Sequence, residues 1–136
     1  MAGTMDMFRT NTQAEVQGVW VDVTGSFRVL VARYGNKNYT SFIRSEGQRS
    51  RTAKHLASLR SDADDMAELV LRGVSQHILL GWSGMEDSEG KDIPYSTEKA
   101  HECLASYPEF YALILSIAQD INNFRDAEVR KSEGNS

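Results

Sequence analysis

Val16-Gln17-Gly18-Val19-Trp20-Val21-Asp22-Val23-Thr24-Gly25-Ser26-Phe27-Arg28-Val29-Leu30-Val31-Ala32-Arg33-Tyr34 is the stretch that decides the fold class. Val16, Gly18, Trp20 and Asp22 alternate with Gln17, Val19, Val21 and Val23, a period of two that suits a pleated strand. After Thr24-Gly25-Ser26, where glycine takes positive φ at no steric cost, a second β-rich run returns from Phe27 to Tyr34. The reading is a β-hairpin over 16–34. Tyr34-Gly35-Asn36 supplies a second reversal, and Tyr39 to Ile43 then reads as a third strand or the start of a helix.

Beyond the hairpin the period changes. Ala53, Leu56, Ala57 and Leu59 make a weak apolar stripe in the basic segment 44–60, which predicts a short exposed helix after Ser50. Ser61 has the chemistry of an N-cap, and Asp62, Asp64 and Asp65 follow where the positive end of a helix dipole favours acids. Met66, Leu69, Val70, Gly73, Val74, His77 and Ile78 recur at spacings of three and four, so a central helix is expected near 62–80, ending at Gly81. The glycines, acids and Pro94 of 81–95 predict a loop or tight turns. Ser96 then caps a helix near 97–106. Pro108 opens another near 108–125, on which Phe110, Ile114, Ile117, Ile121 and Phe124 keep a 4-3-4-3 rhythm.

The resulting fold class is α+β, mainly α, with the N-terminal β-hairpin packed on a small bundle of three to four helices. Residues 14–125 form its single domain. The polar, aperiodic 1–13 is expected to be a flexible arm that orders on a partner, and the charged and small 126–136 a flexible tail.

A chain of 136 residues with 40% hydrophobic and 25% charged residues suits one domain of this kind. Its apolar runs are only a few residues long and no basic-then-apolar leader is seen, so neither a membrane span nor secretion is expected and the cytoplasm is the expected location. A lone Cys103 cannot close an internal disulfide. The net charge of −4 is unevenly spread: residues 1–60 hold nine Lys/Arg and four Asp/Glu, whereas 61–136 hold six and fifteen. Such asymmetry suits head-to-tail association of copies into a homo-oligomer, or an acidic face offered to a basic partner, with plain solvated faces as the alternative. Arg49, Arg51 and Lys54 on one side and Asp62, Asp64 and Asp65 on the other are the candidate partner contacts.

Catalytic and metal chemistry is not expected. His55, His77 and His101 fall on separate predicted helices without paired ligand spacing. His101 and Cys103 stand two apart, so a helix turns them about 200° from one another. With Gly90 at the sixth position of a calcium loop, Met85 takes the first position and Ser96 the twelfth, and both lack the required carboxylate. A solvated acidic turn is the simpler reading of Glu86, Asp87, Glu89 and Asp92. The basic run Arg44 to Arg60, with Tyr39 and Phe42 close by, has the makings of a phosphate contact, yet the chain is acidic overall and carries no nucleic-acid module. Nucleic acid is therefore not the expected partner.

From Leu80 onward the chain reads Leu80-Gly81-Trp82-Ser83-Gly84, Glu86-Asp87-Ser88-Glu89-Gly90-Lys91, Ile93-Pro94-Tyr95-Ser96 with Glu98 and Ala100, then Tyr107-Pro108-Glu109-Phe110 and Asp120 to Phe124. This ordered series, over about 66–126, resembles the tail assembly chaperones of long-tailed bacteriophages: Gly-Trp closing a helix, an acidic glycine turn, a Pro-aromatic-Ser helix start, a Pro-acid-Phe step and a last helix ending in Asn-Phe. The resemblance implies a non-catalytic protein of the host cytoplasm, without cofactor or metal. Such a protein binds the tape measure protein, keeps its helical apolar surface soluble, and recruits the major tail tube protein. Trp82 enters as a core residue folded back over the helices or, less simply, as a further partner contact. A small tail component kept in the virion, such as a terminator or connector, is the alternative; a nucleic-acid-binding regulator using Arg44 to Arg60 is a third.

Overall fold

In the computed structural model, residues 3–57 and 62–125 are described, the side chains of 50–57, 62 and 63 excepted. The first helix, α1 (Thr12–Gln17), starts where Asn11 Oδ1 accepts from the amides of Gln13 and Ala14. It ends at Gly18, whose φ of 86° and whose Cβ position, 3.2 Å from the Val31 carbonyl, admit no other residue without strain. Strand β1 (Val19–Thr24) then turns at Gly25 into β2 (Phe27–Val31). The hairpin expected over 16–34 is thus present, but its first strand begins at Val19, because the Asn11 cap draws 12–17 into a helix.

The central strand has a partner on each side. β1 pairs with β2 through Val21 opposite Val29, and β3 (Leu79–Ser83) pairs with β2 through Trp82 opposite Val29, both antiparallel. Here the structure corrects the sequence reading, which ended a helix at Gly81. The long helix α3 (Asp62–His77) stops at His77, and the next residues complete the sheet. A short apolar run such as Leu79-Leu80-Gly81-Trp82 fits either element by periodicity. The open edge of β2 decides it, since Leu79 and Trp82 bury one face while backbone pairing satisfies the other demand.

Helix α2 (Lys37–Ala57) replaces both the short strand considered at 39–43 and the later start expected after Ser50. Its cause is Asn36, which is buried and fully used. Its side-chain oxygen accepts from the amides of Asn38 and Tyr39, and its amide nitrogen donates to the carbonyls of Arg33 and His77. One side chain therefore caps α2 and fastens it to the end of α3. The two helices run antiparallel, with Phe42 against His77 at 5.3 Å and Arg72 over the Phe42 ring at 5.5 Å. Burial lowers the His77 pKa below its usual range.

Helices α4 (Thr97–Ser106) and α5 (Pro108–Gln119) lie close to their expected places, with Ser96 Oγ accepting from the Lys99 amide and Pro108 in the first turn of α5. The continuation to 125 is a separate 3-10 turn, Ile121–Phe124, because Asp120 leaves the helical path and caps it by accepting from the Asn122 amide. Ile114, Ile117 and Phe124 are buried and Ile121 is half-buried, as the rhythm requires. Ile114 and Ile117 join Val29, Val31, Val74 and Ile78 in one core between the sheet and the helices. The arm is not bare chain: Thr4–Phe8 forms a 3-10 turn, the Asn11 amide donates to Phe124 O at 2.7 Å, and Thr10 bridges Arg125. The tail at 126–136 lies outside the described residues.

Two glycines on the helical hairpin give an opposed pair of expectations. A Cβ at Gly47 would meet only Leu69 at 3.7 Å, whereas at Gly73 it would fall 2.8 Å from the buried Tyr39 ring and 3.2 Å from Ile43. Gly47→Ala should stabilise the protein by about 0.5–1 kcal/mol through helix propensity. Gly73→Ala should lose that gain and more, about 1–3 kcal/mol, to overpacking. Urea unfolding of both variants against wild type checks the two signs.

Candidate functional site

The sequence-predicted contact residues divide into three groups. Arg49 is exposed and pairs with Glu46 at 3.3 Å, which also meets Arg72 at 3.4 Å. Exposed pairs of this kind contribute about 0–1 kcal/mol. Asp64 is exposed and Asp65 half-exposed near the start of α3. Because α2 and α3 are antiparallel, Arg49 and these acids share one end of the hairpin and do not stand on opposite sides of the molecule. The side chains of Arg51, Lys54 and Asp62 lie outside the described residues.

Trp82 belongs to the core. It is buried, its indole N–H donates to Ile93 O at 2.8 Å, and its ring meets Tyr95 edge-on at 5.1 Å and Phe110 at 6.5 Å. Tyr95 in turn donates its hydroxyl to Leu79 O at 2.8 Å, so segment 93–95 covers the outer side of β3. Burial raises the Tyr95 pKa. The Gly-Trp pair therefore acts from a strand, in place of the helix end expected for it, and it fixes the loop that follows.

That loop is tied by its own acid. Asp87 Oδ1 accepts from the amides of Glu89 and Lys91, its amide donates to Lys91 O, and Glu86 bridges Asp92. One oxygen of the carboxylate is thus engaged by the turn. Among the described residues no group of His, Cys, Asp and Glu is placed to hold a metal ion. His101 reaches across to Glu68 of α3 at 3.2 Å, while Cys103 faces inward, so the two diverge as their spacing requires.

Among the described residues, two open grooves adjoin the α4–α5 corner. The first, about 630 Å³, lies where the hairpin turn, the end of β3 and the α4–α5 corner converge. Phe27, Met85, Ile93, Cys103, Tyr107 and Phe110 line it, with Glu86, Asp87, Lys99 and Glu102 at the rim. Lys99 pairs with Glu102 at 3.3 Å, which leaves the rim net negative. The second, about 370 Å³, runs between α3 and the α4–α5 corner and is lined wholly by apolar and aromatic residues: Ala67, Val70, Leu71, Leu104, Ala105, Pro108 and Tyr111. Met66 stands exposed beside Ala67 in the chain. Neither groove was legible in the sequence, because each is made by residues on three or more elements. The helical stripes signalled only which side was core.

Burial raises the Cys103 pKa, with Glu102 adding to the rise and Lys99 opposing it. A thiol held protonated is a poor nucleophile. Cys103 should therefore react with iodoacetamide at mildly alkaline pH several-fold more slowly in the native protein than in urea; equal rates, read by mass spectrometry over time, would contradict its burial.

Comparison with known proteins adds one finding. A family model described as YdaY prophage protein matches residues 34–135. No curated protein and no solved structure matches the chain.

Proposed function

Because this chain belongs to the YdaY prophage protein family, and is thus a phage protein, we propose that it is a non-catalytic tail assembly chaperone that masks an apolar helical segment of the tape measure protein and recruits tail tube subunits. The observation that carries the reading is the second groove. Three helices leave between them a trough with no charged lining residue, the form in which an amphipathic helix is commonly bound through i, i+3, i+4 and i+7 anchors. The polar outer surface then replaces the partner's exposed stripe, which keeps the partner from associating with itself.

The chemistry at hand suits this role. Cys103 is protonated and buried, the loop acid Asp87 is used by its own turn, and the exposed His101 is matched to Glu68. No helix among the described residues is long and apolar enough to cross a membrane. Arg49, Asp64 and Asp65, at one end of the hairpin, are rim contacts that orient the partner more than they hold it.

Ala67 and Ala105 are exposed on the two walls of the trough, so glutamate at both charges the groove without disturbing the core. Co-expressed with the tape measure protein of the same prophage, wild type should recover it in the soluble fraction and Ala67→Glu/Ala105→Glu should not. The thermal midpoint should barely move, since such surface changes stay within about 0.5 kcal/mol. Failure of wild type to recover the partner would contradict the chaperone reading; equal recovery by the double variant would move the contact off this groove.

A further inference from the structure

The first groove sets aromatic walls beside carboxylates. Phe27 from the hairpin and Tyr107 and Phe110 from the α4–α5 corner supply the rings, and Tyr107 keeps 63% of its surface in solvent. Glu86, Asp87 and Glu102 stand on the rim against one base, Lys99, which Glu102 engages at 3.3 Å. Three acids against one lysine give the lining two uncompensated negative charges. The bases nearest in the chain are turned elsewhere. Arg28 pairs with Asp22 at 2.9 Å and lies over the Trp20 ring, on the opposite side of its strand from Phe27, and the exposed Lys91 is not among the lining residues.

These acids are held in place by the loop that carries them. Asp87 Oδ1 accepts from the amides of Glu89 and Lys91, which leaves its second oxygen to the rim, and Glu86 bridges Asp92. The Ile93 amide donates to Met85 O at 2.8 Å. Gly84 fastens the loop to the hairpin turn: at its φ of 77° a Cβ would fall 2.2 Å from Ser26 O, so the two backbones pass too closely for any other residue. A site built in advance spends little of its binding energy on ordering itself.

Carboxylates over aromatic walls are the chemistry that recognises a cation, since the charge attracts it and the ring faces receive it. A guanidinium suits both, because its planar fork pairs with carboxylates and stacks on rings. The groove's 630 Å³ exceeds what one such side chain fills, and Met85 and Ile93 make part of its floor apolar. A small inorganic cation would leave that floor uncovered, whereas a peptide brings apolar neighbours with its charge. We propose that this groove holds an arginine of a partner protein, presented in a short segment between aromatic or aliphatic residues. The contact is an anchor of a few residues, so the isolated segment binds in the millimolar range. It does not depend on the trough assigned to the tape measure protein, and each assignment stands or falls alone.

An amide NMR titration with acetyl-Phe-Arg-Phe-amide tests it, beside the same peptide carrying citrulline, which keeps the shape of arginine and removes its charge. Wild type should bind the arginine peptide, with shifts centred on the amides of Met85 to Asp87 and of Glu102 to Phe110, and the citrulline peptide about tenfold more weakly. Raising the salt from about 50 to about 500 mM should close most of that gap. Glu86→Gln/Glu102→Gln should remove the discrimination between the peptides. Ser106→Arg, at the groove's α4 wall, should lose both by placing a tethered guanidinium there. All three positions are exposed, so the melting curves should match wild type; if the double variant melts early, Ser106→Arg carries the test. Equal affinity of wild type for the two peptides, shifts centred on the trough or elsewhere, undiminished binding by Ser106→Arg, or no binding at about 10 mM peptide would overturn the proposal.

Discussion

Three consecutive backbone amides hold this molecule together. Those of Ala32, Arg33 and Tyr34 donate to Ile78 O at 2.8 Å, Glu15 O at 2.9 Å and Ala118 O at 2.9 Å. The chain leaving β2 is thereby joined, residue by residue, to the end of α3, to α1 and to α5. Each bond contributes about 0.5–1.5 kcal/mol net, and at fully buried Ala32 an unpaired amide would cost about 1–3 kcal/mol. The three segments must therefore arrive together. Asn36, two residues on, repeats the device with its side chain by joining the start of α2 to His77.

The pairing of β3 with β2 follows from that junction. Once Ile78 accepts from Ala32, the next residues are delivered alongside β2, and Leu79 and Trp82 enter the core. Arg33 extends the junction outward: its guanidinium meets Glu15 at 2.8 Å and Thr10 at 3.2 Å, and the Thr10 hydroxyl in turn contacts Glu15. This partly buried group holds the arm at one end of the molecule. Both grooves lie towards the α4–α5 corner, so their shape is set by the same packing that closes the core.

The sequence was most legible where a local signal and the tertiary environment agree. Ser96 and Pro108 start α4 and α5 within a residue of their expected places, and the apolar rhythm of Ile114 and Ile117 names the buried face. It was misleading where the deciding partner lies far away in the chain. Leu79 to Trp82 has no period to distinguish strand from helix, and only β2 makes it a strand. Tyr39 and Phe42 are strand-like residues by composition, but the Asn36 cap places them in a helix against Gly73 and His77. The two grooves were invisible for a related reason: half-buried side chains such as Met85, Val70 and Tyr111 acquire a common surface only when several elements converge.

Native-state hydrogen exchange at Ala32, Arg33 and Tyr34 tests this account most directly. If the junction is the constraint on which the fold depends, the three amides should exchange only through global unfolding, with one shared free energy and one denaturant slope, matching the buried turns of α5. Exchange of any one of them through a low-energy local opening, while its two neighbours stay protected, would contradict it.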